Sequence, residues 1–116
     1  MKYFYLLAAF IYVNIDLQAQ SLVADMNAST HYMPSGITDV KAAGPLTYFA
    51  ANDGSSGLEP WITDGTAAGT RLLRDINPGK AFSMSSPDFT YSNGFVYFSA
   101  DDGTHGFELW RTDGTA

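Results

Sequence analysis

Two stretches of the chain are near copies of each other. Tyr48 to Ala67 reads YFAANDGSSGLEPWITDGTA and Tyr97 to Ala116 reads YFSADDGTHGFELWRTDGTA, an offset of 49 with 13 of 20 positions identical. Upstream, Leu22 to Asn27 (LVADMN) matches Leu72 to Asn77 (LLRDIN) at an offset of 50. Self-similarity at this period marks a repeat architecture, in which one supersecondary unit recurs and each copy needs a neighbour to bury its faces. The organisation read from it is a leader over residues 1–19 and two β repeats over 20–116, the first about 22–69 and the second about 70–116.

Each unit reads as strands and turns. Leu46 to Ala51 and Phe95 to Ala100 are short aromatic and β-branched runs without helix caps, the pattern of strands buried on both faces. Asn52 to Gly57 and Asp101 to Gly106 carry Asp-Gly pairs, which supply a glycine for positive φ and a carboxylate that bonds its own backbone. Leu58 to Thr63 and Phe107 to Thr112 are the return strands, with Pro60 at a site that needs no ladder donor. Asp64 to Gly69 turns into a strand over Thr70 to Ile76. Weaker strands are expected at Ile37 to Val40 and around Asp88 to Tyr91. The fold class expected is all-β, built from four-stranded antiparallel units of about 50 residues. Units of that length read as β-propeller-like blades, here two blades of an incomplete ring. Leu22 to Met26 corresponds to the last strand of a unit, the offset expected where an N-terminal strand completes a C-terminal blade. Two blades cannot close a ring, so the expectation is an N-terminal piece of a longer protein or an assembly of several copies.

The repeated block is similar to a known bacterial motif. Glu108-Leu109-Trp110-Arg111-Thr112-Asp113-Gly114-Thr115 resembles the ELWxxDGT repeat, and Glu59-Pro60-Trp61-Ile62-Thr63-Asp64-Gly65-Thr66 departs from it by Pro60 where Leu is usual. The resemblance spans roughly Leu22 to Ala116. It implies a secreted or cell-surface tandem-repeat protein and supplies no catalytic residue. The motif positions expected to matter are therefore structural: Glu59, Trp61, Asp64, Gly65 and Thr66, with Glu108, Trp110, Asp113, Gly114 and Thr115.

Met1 to Gln20 has a lysine start, an 11-residue apolar run from Tyr3 to Val13 and a small-residue exit at Ala19. This is the layout of an export signal, and the run is too short for a membrane span. Cleavage after Ala19 removes Lys2 and Asp16 and leaves the net charge at −6. The localisation expected is secreted or cell surface, with no membrane span after cleavage. With 6 Lys+Arg against 12 Asp+Glu and no basic cluster, nucleic acid is excluded as a partner. The absence of cysteine removes disulfides, thiolate metal sites and thiol nucleophiles.

The remaining chemistry is weighed residue by residue. Asp53, Asp64, Asp101, Asp102 and Asp113 are expected to build Asp-Gly turns, with calcium binding the alternative. Only one of three alternate positions before Gly54 and before Gly103 is acidic, which fits an EF-type loop poorly. Trp61 and Trp110 are expected to pack between blades, with sugar stacking the alternative. Glu59 and Glu108 occupy equivalent places, whereas a catalytic carboxylate pair needs different environments. They are expected to bond backbone groups of a neighbouring turn. His105 is expected to be solvated, and no nucleophile, base and orienting group can be assembled. The leading expectation is a non-enzymatic exported scaffold or binding module with a protein or polysaccharide partner. The alternatives are a non-catalytic segment of a larger secreted enzyme or sorting-domain protein, and a calcium-stabilised adhesin array.

Overall fold

The computed structural model describes residues 36–115. The segment expected to be an export signal and the expected strand over Leu22 to Met26 lie outside the described residues. Seven strands run in chain order: β1 Thr38–Ala43, β2 Leu46–Asn52, β3 Leu58–Thr63, β4 Arg71–Leu72, β5 Thr90–Ser92, β6 Phe95–Asp101 and β7 Phe107–Thr112. They form two antiparallel sheets, one in the order β1-β2-β3-β4 and one in the order β5-β6-β7. The described residues are all-β and contain no helix. No closed ring forms among them.

The hairpins obey the pattern that suggested them. In the first, Phe49 stands opposite Trp61 and Tyr48 opposite Ile62. In the second, Phe98 stands opposite Trp110 and Tyr97 opposite Arg111. The strand expected over Thr70 to Ile76 is reduced to Arg71–Leu72. Beyond Leu72 the chain leaves the ladder as a strap along the edge of β3. Leu73 N donates to Pro60 O at 2.9 Å, and Ser83 N and Met84 N donate to Leu58 O at 3.2 and 3.3 Å. Pro60 thus offers its carbonyl to the strap and lacks no needed donor. The early strands also shift. Ile37 precedes β1, which extends to Ala43 with a bulge between Thr38 and Lys41, and Asp88 and Phe89 precede β5.

Side chains alternate across a strand, so each hairpin has two faces. On the first sheet one face carries Tyr48, Ala50 and Ile62, and the other carries Phe49, Ala51, Trp61 and Leu72. The second sheet lays its Val96, Phe98 and Ala100 face, with Trp110, toward the Tyr48 face of the first. Phe89 lies between them, its ring 6.4 Å from Tyr48 and 5.4 Å from Phe98. Leu73, Ile76 and Met84 of the strap complete the same core. Full burial of a side chain such as Phe89 or Met84 contributes about 1.5–3 kcal/mol. The contact is therefore front to back: the Tyr face of one unit meets the Phe/Trp face of the next.

Polar groups lock that contact. The Asp39 carboxylate accepts from Phe89 N, and Asp39 sits at φ 49° where β1 bulges. Arg71 Nη2 donates to Gly114 O at 2.8 Å. A Cβ at Gly114 would lie 2.7 Å from Leu46 Cδ1 and 3.0 Å from the Tyr48 hydroxyl, so this position is bare to let the last turn seat on the first sheet.

Gly57 and Gly106 occupy the same place in the two units, at φ 77° and 79°. A Cβ on Gly57 would meet Ala81 O of the strap at 2.1 Å, while one on Gly106 meets nothing within 4 Å. Gly106→Ala should cost about 1–2 kcal/mol, the strain of a left-handed backbone alone. Gly57→Ala should cost clearly more, because the strap must also move, and urea unfolding of the two variants measures the difference.

Candidate functional site

The Thr-Asp-Gly-Thr block folds the same way twice. Thr63 Oγ1 accepts from Gly65 N at 2.9 Å, and Asp64 Oδ1 accepts from Thr66 N and Thr66 Oγ1 at 2.9 and 2.6 Å. In the second unit Thr112 Oγ1 accepts from Gly114 N at 3.0 Å, and Asp113 Oδ1 accepts from Thr115 N and Oγ1 at 3.0 and 2.6 Å. The side-chain bond from Thr66 and then its backbone N–H hold the Asp64 carboxyl below its usual range, and Thr115 does the same to Asp113. These side chains close their own turn, as short polar residues do where backbone donors are otherwise unpaired.

The loops between the long strands repeat as faithfully. Asn52 Oδ1 accepts from Gly54 N, and Asp53 Oδ1 from Ser55 N and Ser56 N, all at 2.8 Å. Asp101 Oδ1 accepts from Gly103 N at 2.7 Å, and Asp102 Oδ1 from Thr104 N and His105 N at 2.8 Å. Among the described residues, no three acidic or histidine side chains gather as a metal site would require. His105 is exposed, as expected of a loop histidine, and its Nδ1 also lies 2.7 Å from Asp102 Oδ2.

The two glutamates occupy unlike environments. Glu59 is fully buried. Its Oε2 accepts from Ile76 N at 2.9 Å and Ser83 Oγ at 2.6 Å, and its Oε1 accepts from Ser83 N at 3.1 Å. Burial pushes this carboxyl above its usual range, while the three donors act against that rise. Glu59 thus bonds backbone groups as expected, in the strap that follows β4. Glu108 is exposed.

The tryptophans diverge in the same sense. Trp61 is buried on Phe49, ring centroids 6.5 Å apart, and its Nε1 has no hydrogen-bond partner among the described residues. Trp110 is half-buried and donates from Nε1 to Ala100 O at 3.1 Å. Beside it opens a groove of about 320 Å³ where the strap faces the second sheet. Leu73, Ile76, Phe98 and Trp110 give it an apolar lining, and Arg74, Arg111 and Asp113 supply charge. The Arg111 guanidinium also lies 4.6 Å from the centroid of Phe95, a cation–π distance. Such a groove can hold a flat or extended ligand against Trp110 and offer it guanidinium donors. Of the motif residues, Trp110, Asp113 and Thr115 meet at this groove, whereas Glu59, Trp61, Asp64, Gly65 and Thr66 do not line it. Arg74 and Arg111 were not singled out from the sequence, and neither matches a residue in the other unit that would have flagged it. Asp39 was also missed. Its signal was present, since Asp88 stands at the same place one repeat on.

Glu59→Ala should destabilise the fold by about 3 kcal/mol, because three donors lose their acceptor in a dry site. Glu108→Ala should change the urea midpoint little, as exposed substitutions do. The Asp102–His105 pair gives a pH dependence of defined sign. The side-chain bond to Asp102, then its charge and that of Glu108, raise the His105 pKa. The bond from His105 and the backbone N–H groups of His105 and Thr104 lower Asp102 to about 2. The contribution of His105 is complete below its unfolded pKa and is lost as pH rises through the elevated folded value. That of Asp102 is complete above the ordinary carboxylate range and is lost as pH falls through about 2. An NMR titration of the His105 ring should give a midpoint above its ordinary value, and Asp102→Asn should bring it down.

Comparison of the chain with protein-family models, with curated proteins and with solved structures finds no match in any of the three.

Proposed function

We propose that the chain is an exported, non-enzymatic β-repeat protein of the ELWxxDGT type. Its two units are blade-like members of a propeller-like stack that serves as a cell-surface scaffold or binding module for protein or polysaccharide. The observation that carries this reading is the front-to-back packing of the two sheets. A contact between unlike faces repeats without limit of itself, which is how stacked and ring-forming repeats are built. The 11-residue apolar run before Ala19 supports export.

The groove beside Trp110 supports binding over catalysis. Its polar groups are two arginines, the Asp113 carboxylate already engaged by Thr115, and two threonines. Neither guanidinium nor threonine hydroxyl supplies a general base near neutral pH. Within the described residues, no helix is long and apolar enough to cross a membrane.

The test titrates the protein with cell-envelope polysaccharide while reading tryptophan fluorescence and the release of reducing ends. A saturable spectral shift without release is expected, and Trp110→Ala should abolish the shift. Release that scales with protein and is lost in Glu108→Gln would replace the binding module with a glycosidase. N-terminal sequencing of the exported chain should begin at Gln20.

A further inference from the structure

The two units present the same face in opposite states. On the first sheet the face of Leu46, Tyr48 and Pro60 is covered by the second unit, and Tyr48 is only 2% exposed. At the matching positions of the second sheet stand Phe95, Tyr97 and Leu109, and Leu109 is 78% exposed. Phe107, at the place of Leu58, is 56% exposed. This is an apolar sheet face without a cover among the described residues.

We propose that this outer face of the second sheet is a docking surface for the Phe/Trp face of another repeat of the same kind. The proposal rests on the scaffold reading above and names the partner that reading requires. What covers the face is argued from the interface already present, in which Val96, Phe98 and Phe89 of one repeat cover the Tyr48 face of another. The aromatic that receives Phe89 is kept as Tyr97, and Leu109 stands where Pro60 is buried. The latch is kept too. Asp39 accepts the backbone N–H of Phe89 from the incoming unit, and Asp88 stands at the matching position, exposed. Arg111 at the place of the buried Ile62 is the departure, and its guanidinium is held over the Phe95 ring.

The test exploits the absence of cysteine, which makes a single introduced thiol a unique probe. Leu109→Cys is prepared in the full chain and in the full chain lengthened after Ala116 by a second copy of residues 68–116, which continues the 49-residue period. Thiol labelling should be fast in the first and at least about tenfold slower in the second, as burial protects a group. Leu109→Lys and Asp88→Ala should leave the urea midpoint of the original chain unchanged and lower that of the lengthened chain. Equal labelling rates in the two chains, with midpoints that ignore both substitutions, would overturn the proposal. Slower labelling of the unlengthened chain on adding envelope polysaccharide would also overturn it, by assigning the face to a glycan. Reducing-end release overturns the scaffold reading whatever the labelling rates are, so the two failures are distinct.

Discussion

A carboxylate removed from water has to be surrounded by donors, and the donors around Glu59 come from well along the chain. Ile76 and Ser83 bracket the strap that follows β4, and both reach the same buried side chain. Backbone bonds from Leu73 to Pro60 and from Ser83 and Met84 to Leu58 hold the two ends of the strap on β3. Once held, it supplies Leu73, Ile76 and Met84 to the core between the sheets, and Ser83 O accepts from Asp101 N of β6 at 2.9 Å. The second sheet is thus placed by a segment that Glu59 places. The arrangement resembles a buried charge whose removal is far costlier than its replacement by a good apolar fit would be.

What could be read in advance divides along the same line. The long hairpins were legible because aromatic and β-branched runs, Asp-Gly turns and a 49-residue offset all agree. The turn chemistry of Thr63 to Thr66 was legible because such bonds are local. The strap was not. Nothing in Asp75 to Ser83 has strand periodicity, and its position depends on a side chain many residues earlier. The strand expected to reach Ile76 stops at Leu72 because from Leu73 onward the backbone bonds singly to Pro60 and Leu58 and not as a ladder. His105 was read as an isolated loop residue, although Asp102 three residues before it was within reach of its ring.

Sequence identity between the units also concealed a difference in circumstance. Glu59 and Glu108, Trp61 and Trp110, Gly57 and Gly106 are the same residues at the same spacing. In each pair one member is enclosed and the other is open or half-open. The motif specifies the local turn and the register of its own hairpin. Its partners are supplied by the strap that comes after it and by the unit that lies on it. Identical residues therefore carry different free energies, and a repeat's contribution to stability is the sum of an internal term and a neighbour term.

That division bears on why the polar latches sit where they do. A sheet face lined with aromatics and alanines can slide on another with little change in buried area, because apolar burial is non-directional. The Asp39 to Phe89 bond and the Arg71 to Gly114 bond lie away from the apolar centre of the contact and fix its register. Gly114 adds a backbone condition, since its φ of 97° favours glycine and a Cβ there would push against Leu46 Cδ1 and the Tyr48 hydroxyl. Burial and the Asp113 charge raise the pKa of that hydroxyl, with Arg71 opposing them, so it remains a neutral group at the seam. Apolar area supplies the attraction between units, and a few directional bonds at its margin decide which of many similar overlaps is adopted.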